Sequence, residues 1–338
     1  MKKSYFCFLS LCLFSVTLFS CASAKTHAGN RLEIHSIEEL KSLFPTPSES
    51  ALLSQAEMDS LSTQEAVFAY YRSGVTAAQG GDFVKAYGIF YNDVFVLGDD
   101  KGIENLAELV LNGSGITQDV QKAMAVYEFI AKEKKAGRGY SSLGKIYEAK
   151  TGTYPGITQS FDTALDYFKK SYQDKDIKSA DFKGPRYVAD YYDSGYTHDD
   201  GTVQKPDYKK AEEAYLLAAK GNGRTFDGTS CYKLGTYYEE GREGVAKDPE
   251  KAFVFYTKAV SDPNTHSTML GIPQSYLSLA RLYESGNGTQ KDMAKAKEFY
   301  EKALTAANET LALEFAAGKE AAVPVQKEAQ AALERIEK

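Results

Sequence analysis

A short pattern of hydrophobic and polar residues recurs six times along the 338-residue chain. In each copy an Asp or Ser is followed four residues later by Ala, and a further four residues on by Phe or Tyr. Residues four apart share one face of an α-helix, so each copy predicts a helix that packs through this face. The alanines lie 37 to 47 residues apart, a period typical of helix-pair solenoids. They are Ala86, Ala123, Ala164, Ala211, Ala252 and Ala296.

The residue that opens each copy predicts where the helix begins. Asp and Ser side chains at this position accept a hydrogen bond from a free backbone N–H of the first turn. These residues are Asp82, Asp119, Ser160, Asp207, Asp248 and Asp292. The aromatic residues at the other end of the pattern are Phe90, Tyr127, Phe168, Tyr215, Tyr256 and Tyr300. We expect each ring to fill a gap between neighbouring helices.

Another helix is predicted upstream of most copies. Its signature is an apolar residue followed by Gly or Ala, with Tyr three residues further on, as in Leu143, Gly144 and Tyr147. A glycine inside a helix costs stability, so it predicts a close approach of two backbones at that position. These helices are expected to end at glycines, which adopt the left-handed terminating conformation easily. The predicted glycine ends are Gly113, Gly195, Gly241 and Gly286.

From Leu234 to Ala259 the chain reads Leu-Gly, Tyr, a glycine loop, Asp-Pro-Glu-Lys-Ala and Tyr. This order resembles the Sel-one-like repeat, a subfamily of the tetratricopeptide class, and the resemblance covers about residues 100–305. It implies an all-α solenoid of stacked antiparallel helix pairs in a right-handed superhelix. It also implies assembly or adaptor work. The unit around residues 70–91 has a shorter loop and resembles a plain tetratricopeptide unit.

Four segments are predicted. Residues 1–24 form a leader, residues 25–60 a flexible tether broken by two prolines, residues 61–305 an array of about six helix pairs, and residues 306–338 the capping helices. Within the tether, a short helix is predicted from Ile37 to Phe44.

The leader predicts export. Two lysines precede an apolar run that is too short for a comfortable membrane span. The residues from Leu18 to Cys21 resemble a bacterial lipobox, which would make Cys21 the lipidation site. Cleavage after Ala24 would instead release a soluble protein, and both interpretations stay open. We therefore expect a periplasmic protein or a lipoprotein attached to the outer membrane, with no membrane contact beyond the lipid anchor.

The first helices of the pairs are expected to line the concave side of the array. The residues that then face this groove mix both charges, hydroxyl groups and one tyrosine, which suits a protein or peptide partner. The alternative is that they are only solvated helix faces. The predicted groove residues are Ser141, Lys145, Glu148, Arg186, Asp190, Asp193, Tyr232, Thr236, Glu239, Leu277, Arg281 and Glu284.

Little in the sequence points to catalysis or to a cofactor. The net charge of −6 disfavours nucleic acid, which needs a concentrated basic surface. Beyond the leader the only cysteine is Cys231, predicted to be buried in an apolar helix face. The four histidines lie in predicted tether and loops without the spacing of a metal site or a catalytic dyad, and His198-Asp-Asp-Gly201 lacks the ligand spacing of a calcium loop. We predict no metal, cofactor or catalytic residue.

Three functions remain as hypotheses at this point. The leading one is a non-enzymatic protein-interaction scaffold attached to the bacterial envelope. The alternative is a module that binds peptidoglycan or another envelope glycan through some of the 24 tyrosines, because aromatic rings with a polar tip suit sugar surfaces. A cell-wall or β-lactam hydrolase ranks last.

Overall fold

The computed structural model describes residues 32–337 except 177, 179, 182, 222–225, 262–270 and 313–315. The predicted leader, the lipidation site at Cys21, and both His27 and His266 lie outside these residues.

The described part of the chain contains fifteen α-helices, a 3-10 turn at Glu49–Ala51 and a small antiparallel hairpin of Tyr196–Thr197 with Val203–Gln204. The helices are α1 (Ile37–Ser42), α2 (Gln55–Ser60), α3 (Gln64–Gln79), α4 (Phe83–Phe95), α5 (Gly102–Asn112), α6 (Val120–Lys132), α7 (Gly137–Glu148), α8 (Phe161–Gln173), α9 (Gly184–Ser194), α10 (Tyr208–Lys220), α11 (Gly228–Glu240), α12 (Pro249–Ser261), α13 (Ile272–Ser285), α14 (Met293–Ala312) and α15 (Ala316–Ile336).

Helices α3 to α14 form six consecutive pairs, which confirms the predicted all-α solenoid. The first helices of neighbouring pairs contact one another, α7 with α9 and α11 with α13, and α13 contacts α15 in the same way. Among the described residues, no two second helices of neighbouring pairs pack to that extent. The first helices are therefore on the inner, concave side of the array.

The recurring pattern is confirmed in all six second helices. Each opening Asp or Ser accepts a hydrogen bond from the backbone N–H three residues later, at 2.9 to 3.2 Å. All six alanines are fully buried, and the six aromatic side chains are at most 3% exposed. The helices predicted to stop at Gly113, Gly195, Gly241 and Gly286 do end there, and each of these glycines has a positive φ.

The glycines inside the first helices have a different cause from the one predicted. A methyl group at Gly144 would lie 2.5 Å from the Phe168 ring, and one at Gly235 would lie 2.5 Å from the Tyr256 ring. The expected backbone contact is therefore wrong at these two positions. In these two pairs the aromatic ring of the second helix packs directly against the glycine of the first, so a larger residue does not fit there.

The predicted flexible tether, residues 25–60, is wrong for residues 32–60. Leu40 and Phe44 are buried in the core of the first pairs. The segment is also held by hydrogen bonds, because the Tyr87 hydroxyl donates to the Pro45 carbonyl at 2.6 Å and the Asn92 amide to the Ala51 carbonyl at 2.7 Å. The prolines interrupt the helices of this segment without preventing it from packing.

The predicted boundary at residue 305 lies inside helix α14, which continues to Ala312. A single described helix, α15, closes the array instead of several capping helices. It buries Ala322, Val325 and Ala329 in a cluster with residues of α13 and α14. It packs on α13 as the first helix of a further pair would.

Asp93 on α4 predicts a pH-dependent stability. Its carboxyl is fully buried and accepts the Gly102 N–H at 3.0 Å. Burial, with a smaller contribution from Asp99, raises the pKa of Asp93 to about 7. Between its ordinary value of 3.8 and about 7, the folded chain therefore holds a proton that the unfolded chain has lost. Stability due to this group is complete below this window and falls as the pH rises through it.

We therefore expect the free energy of unfolding of Asp93→Asn to exceed that of the unchanged protein at pH 8 by on the order of 2 kcal/mol. At pH 4 the two proteins should unfold at nearly the same urea concentration. Urea titrations across this range measure the difference. Glu301→Gln, on an exposed face of α14, is the control. A gap between Asp93→Asn and the unchanged protein that stays constant from pH 4 to pH 8 would show that this carboxyl does not titrate as described.

Candidate functional site

The structure places the predicted groove residues on the first helices α7, α9, α11 and α13. Ser141 and Lys145 line a cavity of about 450 Å³ between α5, α7 and α9. A separate cavity of about 470 Å³, between α11, α13 and α15, is lined by five more of them. These five are Tyr232, Thr236, Glu239, Leu277 and Arg281. The other five lie outside both cavity linings, and the role of all twelve in binding stays a prediction.

Most charges of the predicted groove are already paired within the chain. Asp193 accepts the Tyr237 hydroxyl at 2.5 Å and the Lys233 ammonium at 2.8 Å. Arg186 lies 3.1 Å from Asp190 and 3.3 Å from Asp227, which begins the next first helix. These contacts join α9 to α11, so the charges stabilise the array in this part of the groove.

The terminal helix α15 engages the charges of α13. Arg281 forms an ion pair with Glu328, and Arg335 approaches Glu284 at 2.6 Å. The hydrogen bond from Arg335 is the main cause that lowers the pKa of Glu284. Leu277, on the same face, is only 6% exposed. The groove of the last pair is therefore largely covered by the chain itself.

Three groove carboxylates also bind the tyrosines of the core. The hydroxyls of the second-helix rings donate to them: Tyr215 to Asp190 at 2.7 Å, Tyr256 to Glu239 at 2.6 Å and Tyr300 to Glu284 at 2.7 Å. Burial, followed by the nearby carboxylate, raises the pKa of Tyr215 and Tyr256. The phenols therefore stay protonated as donors, and these carboxylates have a structural task.

The cavity between α5, α7 and α9 combines ion pairs with a buried hydroxyl that has no partner. Arg138 lies 3.3 Å from Glu104, and Lys145 lies 2.6 Å from Glu148 and over the Tyr187 ring. The buried Ser141 hydroxyl, by contrast, has no hydrogen-bond partner among the described residues. Unpaired buried polar groups are rare in proteins, which favours this cavity as a binding site.

Two further groups in this cavity are exposed to the groove. Glu108 and Asn112 of α5 line it, and both side chains are solvent-exposed. The Tyr127 ring is buried beneath them and also lines the cavity. The cavity can therefore bind a polar group through a carboxylate, an amide and hydroxyls.

Glu104 and Glu108 were missed by the sequence analysis, although a signal for them exists. Leu106 on α5 corresponds to Leu143 on α7, and both are fully buried. On α7 the predicted groove residues Ser141 and Lys145 lie two residues before and two after this leucine. The same positions on α5 are Glu104 and Glu108. The predicted groove began one helix too late, because α5 has Leu106 and Ala107 but carries Val110 where the first-helix signature has Tyr.

A third cavity, of about 330 Å³, lies between α3 and α5 and is lined by apolar and polar side chains in equal number. Its lining includes Val75, Ala78 and Phe83, and Phe83 is partly exposed. Glu108 and Asn112 line this cavity as well as the polar one. The two cavities are therefore neighbours in one groove that runs along the first three pairs.

The remaining candidates from the sequence have ordinary surroundings. Cys231 is buried, as predicted. His198 pairs with Asp162 at 2.6 Å in a surface loop. Among the residues that the structure describes, no group of three or more His, Cys, Asp or Glu side chains could hold a metal ion. None of the described helices is both long and apolar enough to span a membrane.

The tyrosines do not form an exposed platform. Every tyrosine in the described part of the chain is buried or half-buried. Several rings pack against one another, such as Tyr147 with Tyr167, whose centroids are 5.8 Å apart. Packing therefore accounts for the described tyrosines.

Comparison with known proteins gives a family match over the helix pairs that begin at α5. The model of the Sel1 repeat matches residues 101–128, 139–176, 189–223, 228–263 and 273–308. The chain is 26% identical over 204 residues to cytochrome c oxidase assembly factor 7 of Xenopus tropicalis, which is 60% of this chain and 77% of that protein. Cytochrome c oxidase assembly factor 7A of Xenopus laevis matches with the same identity and coverage.

Solved structures with a similar chain path include a Sel1 repeat protein from Oxalobacter formigenes. It has a TM-score of 0.49 and 20% identity, and the match covers 78% of this chain and 99% of that one. A protective antigen of uropathogenic Escherichia coli with an SLR fold has a TM-score of 0.36 and 18% identity, covering 83% of this chain and 65% of that one.

Proposed function

Because the chain belongs to the Sel1 repeat family, we propose that it is a scaffold that binds a segment of a partner protein along its concave groove and has no catalytic chemistry of its own. Repeats of this family typically mediate protein–protein interaction. The observation that carries the proposal is the cavity between α5, α7 and α9. There Glu108 and Asn112 are exposed beside a buried, unpartnered Ser141 hydroxyl.

Assembly work is consistent with this proposal. The curated relatives are named as assembly factors, and a protein that holds another chain during assembly needs a long groove more than a reactive centre. The polar groove suits this task, because polar groups at an interface give specificity and register. The partner is therefore proposed to be a protein or peptide.

Attachment to a bacterial envelope through a lipid on Cys21 is also proposed. Its support is the sequence of the leader, in which Leu18 to Cys21 resembles a lipobox. Metabolic labelling with an alkyne fatty acid tests it. If the chain is labelled and Cys21→Ser abolishes the labelling, the lipid anchor is supported. If the unchanged chain is not labelled, the anchor is contradicted.

The glycan hypothesis loses its main support, because the described tyrosines are packed and form no exposed platform. We therefore do not propose a sugar-binding function.

The scaffold proposal can be tested with a photoreactive residue, p-benzoylphenylalanine, placed at one groove position and at one control position. Glu108 is exposed in the groove, and Glu213 is exposed on the second helix α10. In cells, we expect protein adducts from position 108 and none from position 213. Adducts from position 213 alone would contradict the groove as the binding surface. An absence of adducts from both positions would contradict the scaffold function.

A further inference from the structure

Two adjoining cavities of different chemistry lie in the groove of the first three pairs. The one between α3 and α5 is lined by Val75, Ala78, Phe83 and two further apolar side chains, together with five polar residues. The one between α5, α7 and α9 is lined mostly by polar side chains. They meet at Glu108 and Asn112. A single extended segment can therefore contact both.

The polar cavity is lined by three carboxylates, Glu104, Glu108 and Asp181, and by three cations. Its cations are engaged within the chain: Arg138 pairs with Glu104, Lys145 pairs with Glu148, and Lys183 also has an interaction partner. Glu108 has no ion pair or side-chain hydrogen bond with another described residue. One carboxylate is therefore free to bind a positive charge.

The surroundings of Glu108 also favour a cation. The buried hydroxyls of Tyr127 and Ser141 line the same cavity and can accept hydrogen bonds from an ammonium or guanidinium group. Burial raises the pKa of Glu104 against the opposing charge of Arg138, and the charges of Asp181 and Glu108 add to the rise. An added positive charge would relieve this repulsion between carboxylates.

Building on the proposed function, we propose that the two cavities together hold one extended partner segment with an apolar side chain close to a Lys or Arg side chain. The apolar side chain lies between α3 and α5. The basic side chain lies beside Glu108, over α5 and α7. An acidic side chain or a nucleic-acid phosphate at this position would be repelled by Glu108, which has no ion pair within the described chain.

The test uses fluorescein-labelled, blocked peptides with a Gly-Ser background that contain one Leu and one Lys. The two residues are separated by zero to four positions, and binding to the purified chain is measured by fluorescence anisotropy. We expect at least one spacing to bind about tenfold more tightly than the same peptide with Glu in place of Lys. Replacing the Leu by Ser should weaken binding by a similar factor.

Variants assign the effect to the groove. Glu108→Gln should bring the Lys and Glu peptides to within about threefold of each other, because it removes the charge and keeps the shape. Glu213→Gln, an exposed change on α10, should leave the discrimination intact. Equal binding of Lys and Glu peptides at every spacing, or discrimination that survives Glu108→Gln, overturns the proposal. Photoadducts from position 108 would still support the scaffold function in that case, so the two failures are distinguishable.

Discussion

Replacing Gly139 by alanine is expected to lower the free energy of unfolding by about 3 kcal/mol or more, although it adds a single methyl group. Gly139 is in the first turn of α7, where this helix crosses α6. Its new Cβ would lie 2.4 Å from the Tyr127 carbonyl oxygen and 2.6 Å from the Ala131 backbone nitrogen. Both are backbone atoms inside a helix, so the clash is relieved only if α6 and α7 move apart.

Urea unfolding of Gly139→Ala beside Gly80→Ala measures this effect. Gly80 has a φ of −81°, and the nearest atoms to its added Cβ are carbonyl oxygens at 3.4 and 3.6 Å. We expect the control to change stability by less than about 0.5 kcal/mol. If Gly139→Ala is as stable as this control, α6 and α7 do not approach as closely as described. The position of Tyr127 in the lining of the polar cavity would then be wrong as well.

The second large effect is expected at Tyr256, whose ring is fully buried against Gly235. Tyr256→Ala removes this ring and should cost about 3 to 5 kcal/mol, because the space cannot be filled by neighbouring helices. Tyr256→Phe keeps the ring and removes only the hydroxyl that donates to Glu239 at 2.6 Å. That change should cost about 1 to 2 kcal/mol, since it leaves a half-buried carboxylate without its donor.

Tyr283→Phe is the matched control for the hydroxyl. This half-buried tyrosine packs on Phe253 and Phe299 without a hydrogen bond to another described residue, so the change should be nearly neutral. Equilibrium unfolding in urea ranks the three variants. A Tyr256→Phe protein as stable as Tyr283→Phe would show that the tyrosine–carboxylate contact contributes no stability.

The second helices could be predicted almost completely from the sequence. Their caps, alanines and rings depend on contacts within one helix pair, and the same contacts recur six times. A local rule that holds at Asp207, Ala211 and Tyr215 therefore holds in every copy. Because the same pattern occurs six times, it can be recognised as a repeat and not as a chance arrangement of residues.

The N-terminal segment could not be predicted in the same way. A short helix from Ile37 to Phe44 could be predicted, but in this polar stretch with prolines nothing local shows that Leu40 and Phe44 are buried. They are buried because the first helix pair has no preceding pair to cover it. Their burial depends on packing against distant parts of the chain, which leaves no repeating pattern in the sequence.

The sequence indicates which helix face is directed towards the groove, but it does not indicate which side chains on that face are paired. The helical register selected residues such as Asp190 and Arg281, which lie on the first helices α9 and α13. Which of them are free depends on side chains from neighbouring pairs, and the distance between pairs is not encoded in the register. The structure shows that Arg281 is paired with α15, whereas the unpaired carboxylate lies upstream, at Glu108.

Hydrogen–deuterium exchange tests the binding groove most directly. It compares the chain alone with the chain bound to the partner recovered from the photoadduct at position 108. We predict slower exchange on binding in α5 and α7, and unchanged exchange in the second helices α10 and α12. Protection confined to the second helices, with α5 and α7 unchanged, would contradict the account.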